Sequence, residues 1–308
     1  MNQLALIGLG RMGGNMARRL ARAGIAVAVH NRTYDVARQL AAEEAHAEAF
    51  ERFEDMLASL VRPRIVWLML PAGAATDGAL DLLAPLLDGG DLVVNGANAY
   101  YRDSLAQAAR LAEKDIDFID AGVSGGVWGL ANGYALMLGG SAQGIARLKP
   151  VIEALAPAAD QGWVHCGPVG SGHYAKMVHN GIEYGMMQAL AEGFALLEAK
   201  REFAFDLAAV GEAWRVGSVV RSWLLDLTVS ALAKDPRLQS IEPYVADSGE
   251  GRWTVLEAVE QGVPAPVITD ALYARFSSQG RADFGNKLLA MMRKGFGGHA
   301  VKQEGSHE

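Results

Sequence analysis

Lys176, His179, Asn180, Glu183 and Tyr184 follow one another at relative spacings of 0, 3, 4, 7 and 8 in a chain of 308 residues. In a helix that spacing puts an amine, an imidazole, an amide, a carboxylate and a phenol on one face. Such a set suits proton transfer, since a neutral lysine can take a proton and a protonated glutamate can give one. The segment 176–190 has no proline, and Met177, Val178, Ile182, Met186 and Met187 are apolar on its other sides. It therefore reads as a largely buried helix with one polar stripe. Burying such groups unpaired costs roughly several kcal/mol each. The stripe must either pair internally, as a structural Lys176–Glu183 network, or face a polar ligand.

The elements that would position this face begin at the amino terminus. Gly8-Leu9-Gly10-Arg11-Met12-Gly13 follows the apolar run 4–7 and precedes a helical stretch. In that context a G-x-G-x-x-G match gains weight as a dinucleotide loop. Its first glycine permits a tight turn, its second lets backbone approach a pyrophosphate, and its third lets helix and strand pack closely. Further apolar runs at 26–29, 65–70, 92–94 and 118–121 alternate with helical stretches, which predicts a mostly parallel sheet wrapped by helices. Ligands of such sheets bind at the carboxyl ends of the strands. That rule brings Leu70, Asn98 in Asn95-Gly96-Ala97-Asn98, and Ser124-Gly125-Gly126 to the same site. Asn31-Arg32-Thr33 ends the second strand without a carboxylate, and Arg32 suits a ribose 2′-phosphate. NADP is favoured on that ground, with NAD as the alternative because Asp35 lies close by in sequence.

The turn-rich stretch 162–172 marks a junction, beyond which helix-like segments at 172–200, 207–233, 253–261 and 266–276 replace the strand alternation. The expected organisation is α/β plus all-α: a Rossmann-type domain over 1–165, an all-helical domain over 166–294 and a tail over 295–308. Hydrophobic content of 51% with 20% charged residues describes a globular chain, and 308 residues suit two domains. The net charge of -7 gives no general attraction to nucleic acid or anionic membrane, so an anionic ligand must be held by local groups. Arg252, Arg275 and Arg293 are candidates for that task, as is His299 in the tail, although exposed arginines are common. No export signal, membrane span or metal-ligand pattern is read, and the single Cys166 permits a reducing compartment, so a cytoplasmic location is expected.

Taken together, Gly8 to Gly13, Asn31-Arg32-Thr33, Ser124-Gly125-Gly126-Val127-Trp128-Gly129 and Lys176-Met-Val-His-Asn-Gly-Ile-Glu-Tyr-Gly resemble 6-phosphogluconate dehydrogenase, the decarboxylating family. The segment 247–254 is similar to the family's short form. The resemblance implies a homo-oligomer, a homodimer or dimer of dimers, that converts 6-phosphogluconate, a phosphorylated sugar acid, to ribulose 5-phosphate and carbon dioxide. It implies Lys176 as general base and Glu183 as the acid that protonates C1 of the enediol. Asn98, Ser124, Gly125, Gly126, His179 and Asn180 would hold substrate hydroxyls and carboxylate, and Tyr184 and Arg275 its phosphate. Arg293 and His299 would reach the substrate of a neighbouring subunit. Two departures stand out. The family's strand-end loop reads Asp-Gly-Gly-Asn, whereas this chain has Asn95-Gly96-Ala97-Asn98, and the loop 248–252 carries Arg252 as its only cation where long-form members have a lysine. A hydroxyacid dehydrogenase of the 3-hydroxyisobutyrate type and a non-catalytic dinucleotide sensor are the alternative readings. His179 and Glu183 speak against the first, and intact Lys176 and Glu183 against the second.

Overall fold

The structure is a computed structural model and describes residues 3–297 and 300–302. The chain falls into two compact units that divide between Met177 and Val178. The first contains β1 (Gln3–Ile7), α1 (Arg11–Arg22), β2 (Ala26–His30), α2 (Tyr34–Glu43), β3 (Ala47–Ala49), α3 (Phe53–Ala58), β4 (Ile65–Leu68), α4 (Ala74–Leu83), β5 (Leu92–Asn95) and α5 (Tyr101–Ala112). It continues with β6 (Asp117–Ser124), α6 (Gly129–Asn132), β7 (Ala135–Gly140), α7 (Ala142–Leu155) and β8 (Trp163–Gly167). The next helix, α8 (Ser171–Ala199), runs on through the division between the units.

The strands form one sheet in the order β3-β2-β1-β4-β5-β6-β7-β8. Neighbours are parallel except β6 and β7, which pair antiparallel with Ser124 opposite Ala135. Side chains alternate across the sheet, so Leu4 and Leu6 of β1 join Met16, Leu20 and Ile152 on one face, while Ala5 and Ile7 join Met56, Leu80 and Phe118 on the other. Each fully buried leucine or isoleucine contributes about 1.5–3 kcal/mol, which is why both helical layers hold to the sheet. The strand order reverses between β1 and β4, and the Gly8–Gly13 loop opens at that crevice.

Three strands lie outside the runs read from sequence. β3 is only AEA, β7 is ALML followed by two glycines, and β8 carries His165 and Cys166. The stretch 162–172, read as a turn-rich junction, contains β8, because Trp163 and Val164 pair with Leu136 and Met137 of β7. The run 65–70 forms a strand only to Leu68, as Met69 and Leu70 turn toward Pro71.

The first turns of α8 cross the sheet at very short range. A methyl on Gly172 would lie 2.5 Å from the carbonyl oxygens of Asp120 and Met137, and one on Gly122 would lie 2.4 Å from Cβ of Lys176. Glycine at both positions is therefore what lets the helix rest on β6 and β7. Asp120, fully buried in β6, fixes the crossing: its Oδ1 accepts from Gly170 N at 2.6 Å and its Oδ2 from His173 N at 2.6 Å. Those are donors that the start of a helix leaves unpaired. Burial pushes the Asp120 carboxyl above its ordinary value, opposed by these hydrogen bonds. His173 is also fully buried, with Nδ1 2.7 Å from Ser104 Oγ of α5, and burial pushes its imidazole down to about 4.

The second unit holds the rest of α8 with α9 (Leu207–Gly217), α10 (Trp223–Lys234), α11 (Glu250–Gln261), α12 (Pro266–Ser278) and α13 (Asp283–Gly297). Among its described residues there is no strand. Phe194, Leu225, Val229 and Leu232 form one small core, and Tyr184, Ala271 and Leu272 another. The segment 207–233, read as one helix, is two. Ser218 is extended, and Ser222 starts α10 by accepting from Leu225 N at 3.1 Å. The last helix has no proline and continues to Gly297, beyond the point where sequence reading begins the tail. The expectation that α8 is largely buried fails on one flank, where Ile182, Met186 and Met187 are exposed.

Two consequences for stability can be measured. The unfolded chain binds a proton at His173 below its ordinary pKa of about 6.5, whereas the folded chain does so only near 4. His173 therefore contributes stability above about pH 6.5 that is lost as pH falls toward 4, amounting to roughly 3 kcal/mol. Denaturant unfolding at pH 7 and pH 4.5 should show a smaller loss in His173→Gln than in the wild type; equal losses would refute the assignment. Asp120→Ala orphans two buried N–H groups at about 1–3 kcal/mol each. It should lower the unfolding midpoint, and a variant as stable as the parent would show that the carboxylate does not anchor α8.

Candidate active site

The phosphate loop has the shape its glycines demand. Gly8 has φ of 96°, and a side chain there would strike the carbonyl of Met69 at 2.4 Å. A methyl on Gly13 would lie 2.0 Å from the carbonyl of Gly8. Gly10 differs from both, since a Cβ there would meet nothing within 4 Å. Gly8 and Gly13 thus close the turn, while Gly10 faces open space at the amino end of α1. That helix end offers free N–H groups to a phosphate, and Arg11 in its first turn is exposed.

Beside this loop lies a cleft of about 290 Å³, lined by Gly10, Arg11, Met12, Gly13, Met69, Leu70, Pro71, Gly96, Ala97, Asn98 and Val123. The cleft brings together the expected cofactor positions Gly10 to Gly13, Leu70 and Asn98. Leu9 sits differently: its side chain is buried in the core, and its N–H donates to Asn31 Oδ1 at 3.1 Å. Asn31 Nδ2 donates in turn to Thr33 O at 3.1 Å, so the asparagine at the end of β2 braces the loop. Arg32 and Thr33 are exposed next to it. The residues present fit a dinucleotide, with an open glycine at the helix end, an apolar slot between the β1 and β4 ends, and a cation at the β2 end. Among the described residues, no group of histidine, cysteine and carboxylate side chains is placed to hold a metal ion.

Ser124 closes β6, and Gly125 and Gly126 follow with φ of 137° and 53°. Nothing lies within 4 Å of a Cβ built on Gly126, so backbone there is accessible to a ligand. Lys176 is buried, its stem packed over Gly122 of the same strand.

The polar stripe is a continuous face of α8. His179 Nδ1 lies 3.0 Å from Asn180 Oδ1 and 3.9 Å from Glu183 Oε2, and both His179 and Glu183 are about two-fifths exposed, at 42% and 41%. Tyr184 is buried, with its ring against Gly251, where a methyl would lie 2.5 Å away. Its hydroxyl is 3.4 Å from Ser248 Oγ, and the Arg275 guanidinium stacks 3.5 Å from its ring centroid. Arg275 Nη1 also donates to the carbonyl of Ala246 at 2.8 Å. Tyr184, Ser248 and Arg275 thus form one cluster, in which planar stacking holds the guanidinium in place. Arg252 pairs with Asp247 and lies over Phe276, which makes it a brace of the loop 247–252. Arg293 is exposed on α13, and His299 lies outside the described residues.

Sequence reading missed Asp120, His173 and Ser104 as supports of this face. A carboxylate inside an aliphatic strand was the available signal for Asp120, because a buried aspartate is rare without partners. His173 and Ser104 carry no such signal, since only the fold brings α5 to the start of α8.

Comparison with known proteins agrees with the two-part plan. The family model described as the NAD binding domain of 6-phosphogluconate dehydrogenase matches residues 3–167, and that described as the 6-phosphogluconate dehydrogenase C-terminal domain matches residues 172–304. A protein of Haloferax volcanii named NAD(+)-dependent, decarboxylating 6-phosphogluconate dehydrogenase is 41% identical, covering 98% of this chain and 99% of its own. A putative 6-phosphogluconate dehydrogenase of Bacillus subtilis is 38% identical over 98% of this chain and 100% of its own. The solved 6-phosphogluconate dehydrogenase of Plasmodium falciparum superposes with a TM-score of 0.83 at 30% identity, covering 99% of this chain and 67% of that one. A 3-hydroxyisobutyrate dehydrogenase of Mycobacterium tuberculosis, at 22% identity and a TM-score of 0.71, shares the fold. With both halves matched by the family's models and full-length relatives at this identity, the chain belongs to the 6-phosphogluconate dehydrogenase family.

Proposed function

We propose that this protein carries out the oxidative decarboxylation of 6-phosphogluconate to ribulose 5-phosphate and carbon dioxide, with NADP or NAD as hydride acceptor. The observation that carries the reading is α8, anchored by Asp120, with a buried lysine over Gly122 and a half-exposed glutamate two turns further along the same helix. A dinucleotide bound in the cleft supplies the acceptor for the hydride that leaves C3 of the substrate. Lys176 takes the proton of the 3-hydroxyl, a step that needs its amine neutral. The product of that step is a β-keto acid. As its carboxylate leaves as carbon dioxide, protonated Lys176 donates a hydrogen bond to the developing enolate oxygen. Glu183 then delivers a proton to the carbon that lost the carboxylate, giving the ketose. His179, Asn180, Asn98 and the Ser124–Gly126 segment hold the hydroxyls and carboxylate, and Tyr184 with Arg275 receives the phosphate.

Arg32, exposed at the end of β2, favours a 2′-phosphate and hence NADP. The Haloferax volcanii relative is named NAD(+)-dependent, while the Plasmodium falciparum structure is described with NADP+. The exposed flank of α8 at Ile182, Met186 and Met187 supports a homo-oligomer, in which the segment after Arg293, including His299, reaches a neighbouring site. No helix among the described residues is long and apolar enough to cross a membrane. With a single cysteine, exposed on β8, the chain suits a reducing cytoplasm.

Purified protein given 6-phosphogluconate should release reduced dinucleotide and carbon dioxide in equal amounts. Lys176→Met should abolish both, lowering kcat by at least about 10²-fold, and Glu183→Ala should lower kcat similarly. Reduction without carbon dioxide in the parent would move the assignment to a hydroxyacid dehydrogenase. In the same assay an NAD preference above about tenfold in kcat/KM, or roughly 1.4 kcal/mol, would overturn the role given to Arg32. Truncation after Gly297 should raise KM for the substrate sharply with little change in dinucleotide binding; unchanged KM would remove the tail from the site.

A further inference from the structure

The strand-end loop that lines the cofactor cleft is held by a chain of amides whose polarity is forced from both ends. Asn95, fully buried at the end of β5, accepts the Ala97 N–H on Oδ1 at 3.0 Å and donates from Nδ2 to Gln107 Oε1 of α5 at 2.8 Å. Gln107, also buried, donates from Nε2 to Asp77 Oδ1 in the first turn of α4 at 2.8 Å. A backbone N–H can only donate and an ionised carboxylate can only accept, so neither amide can flip without facing like against like. Two further ionisable groups lie here: Asp103, whose carboxyl is pushed up by burial and by the charge of Asp77, and the buried His173, whose imidazole faces the backbone of Asn95 and Ala97. The ends of this chain touch both walls of the cleft. On one side is the Ala97–Asn98 backbone; on the other, α4 follows Pro71, whose carbonyl accepts from Thr76 Oγ1 at 2.8 Å.

We propose that Gln107 is a positioning residue for the dinucleotide and that Asn95 and Gln107 are a matched neutral pair, the one requiring the other. The inference rests on the cleft being the dinucleotide site. A carboxylate at position 95 would face the Gln107 carbonyl, and turning the Gln107 amide would set that carbonyl against Asp77. Position 107 between two carboxylates would instead need a side chain that donates in both directions, as arginine does. Gln107 reaches no ligand itself; it acts by fixing Asn95, and through it the Ala97 N–H and the adjoining Asn98.

The test is a double-variant cycle read by dinucleotide affinity, measured from NADH and NADPH fluorescence without sugar substrate. Asn95→Asp should weaken binding about tenfold or more, and Asn95→Asp with Gln107→Arg should recover to within about threefold of the parent. A tenfold coupling corresponds to roughly 1.4 kcal/mol. Gln107→Leu, which adds no charge to the core, should also weaken binding and speed exchange of the Ala97 amide. Purely additive losses in the double variant would overturn the matched pair. A lowered unfolding midpoint with unchanged dinucleotide affinity in Gln107→Leu would overturn the positioning role. A parent protein that binds neither dinucleotide would overturn the reading of the cleft and this inference with it, an outcome distinguished because it precedes any substitution.

Discussion

The site depends on one buried carboxylate. Asp120 sits within a strand whose neighbours are aliphatic, where an unpartnered charge would be costly, and it is satisfied by N–H groups at the start of α8. The arrangement serves both sides: the helix end offers N–H groups that satisfy the buried aspartate, and the carboxylate gives those N–H groups their acceptors. Gly122, Gly139 and Gly172 make the approach short enough for those bonds. Lys176 inherits its position from that crossing, just under one turn after His173.

The first half of the molecule was legible from sequence because its signals are local. A glycine loop between an apolar run and a helix implies the β1–α1 turn, and each strand-end loop could be placed at the carboxyl edge of the sheet before any coordinate was known. The face of α8 was legible for the same reason, since helical spacing is a local property. The edge strands β3 and β8 were not: they are short or polar, and they are strands because a neighbour offers a ladder rather than because their residues demand one, while β7, inside the sheet, follows its apolar ALML with two glycines. The apparent helix over 207–233 ends at Ser218, and Ser222 starts the next one with a single hydroxyl.

The supports of the site were the least legible part. His173 and Ser104 lie far apart in the chain, and so do Asn95, Gln107 and Asp77, yet each set is one hydrogen-bonded network. From sequence, the Asn95-Gly96-Ala97-Asn98 loop reads as a removed charge and an added methyl beside the cofactor, with no partner in view for Asn95. In the fold that asparagine side chain is bonded to the Ala97 N–H and to Gln107, and its neutrality is part of their geometry. Asn31 changes meaning in the same way, from a candidate ligand contact to the brace that takes up the Leu9 N–H. Polar residues at strand ends thus divide into those that face a ligand and those that hold the loop presenting it, a division only three-dimensional contacts reveal.

One further consequence follows from the continuity of α8. Lys176 and Glu183 belong to a single hydrogen-bonded rod, so their separation along its axis, about 10 Å at the helical rise, is set by backbone repeat and by nothing else. On the proposed reading, in which Lys176 takes one proton and Glu183 gives another, the helix repeat rather than any loop spaces the two backbone positions that carry them.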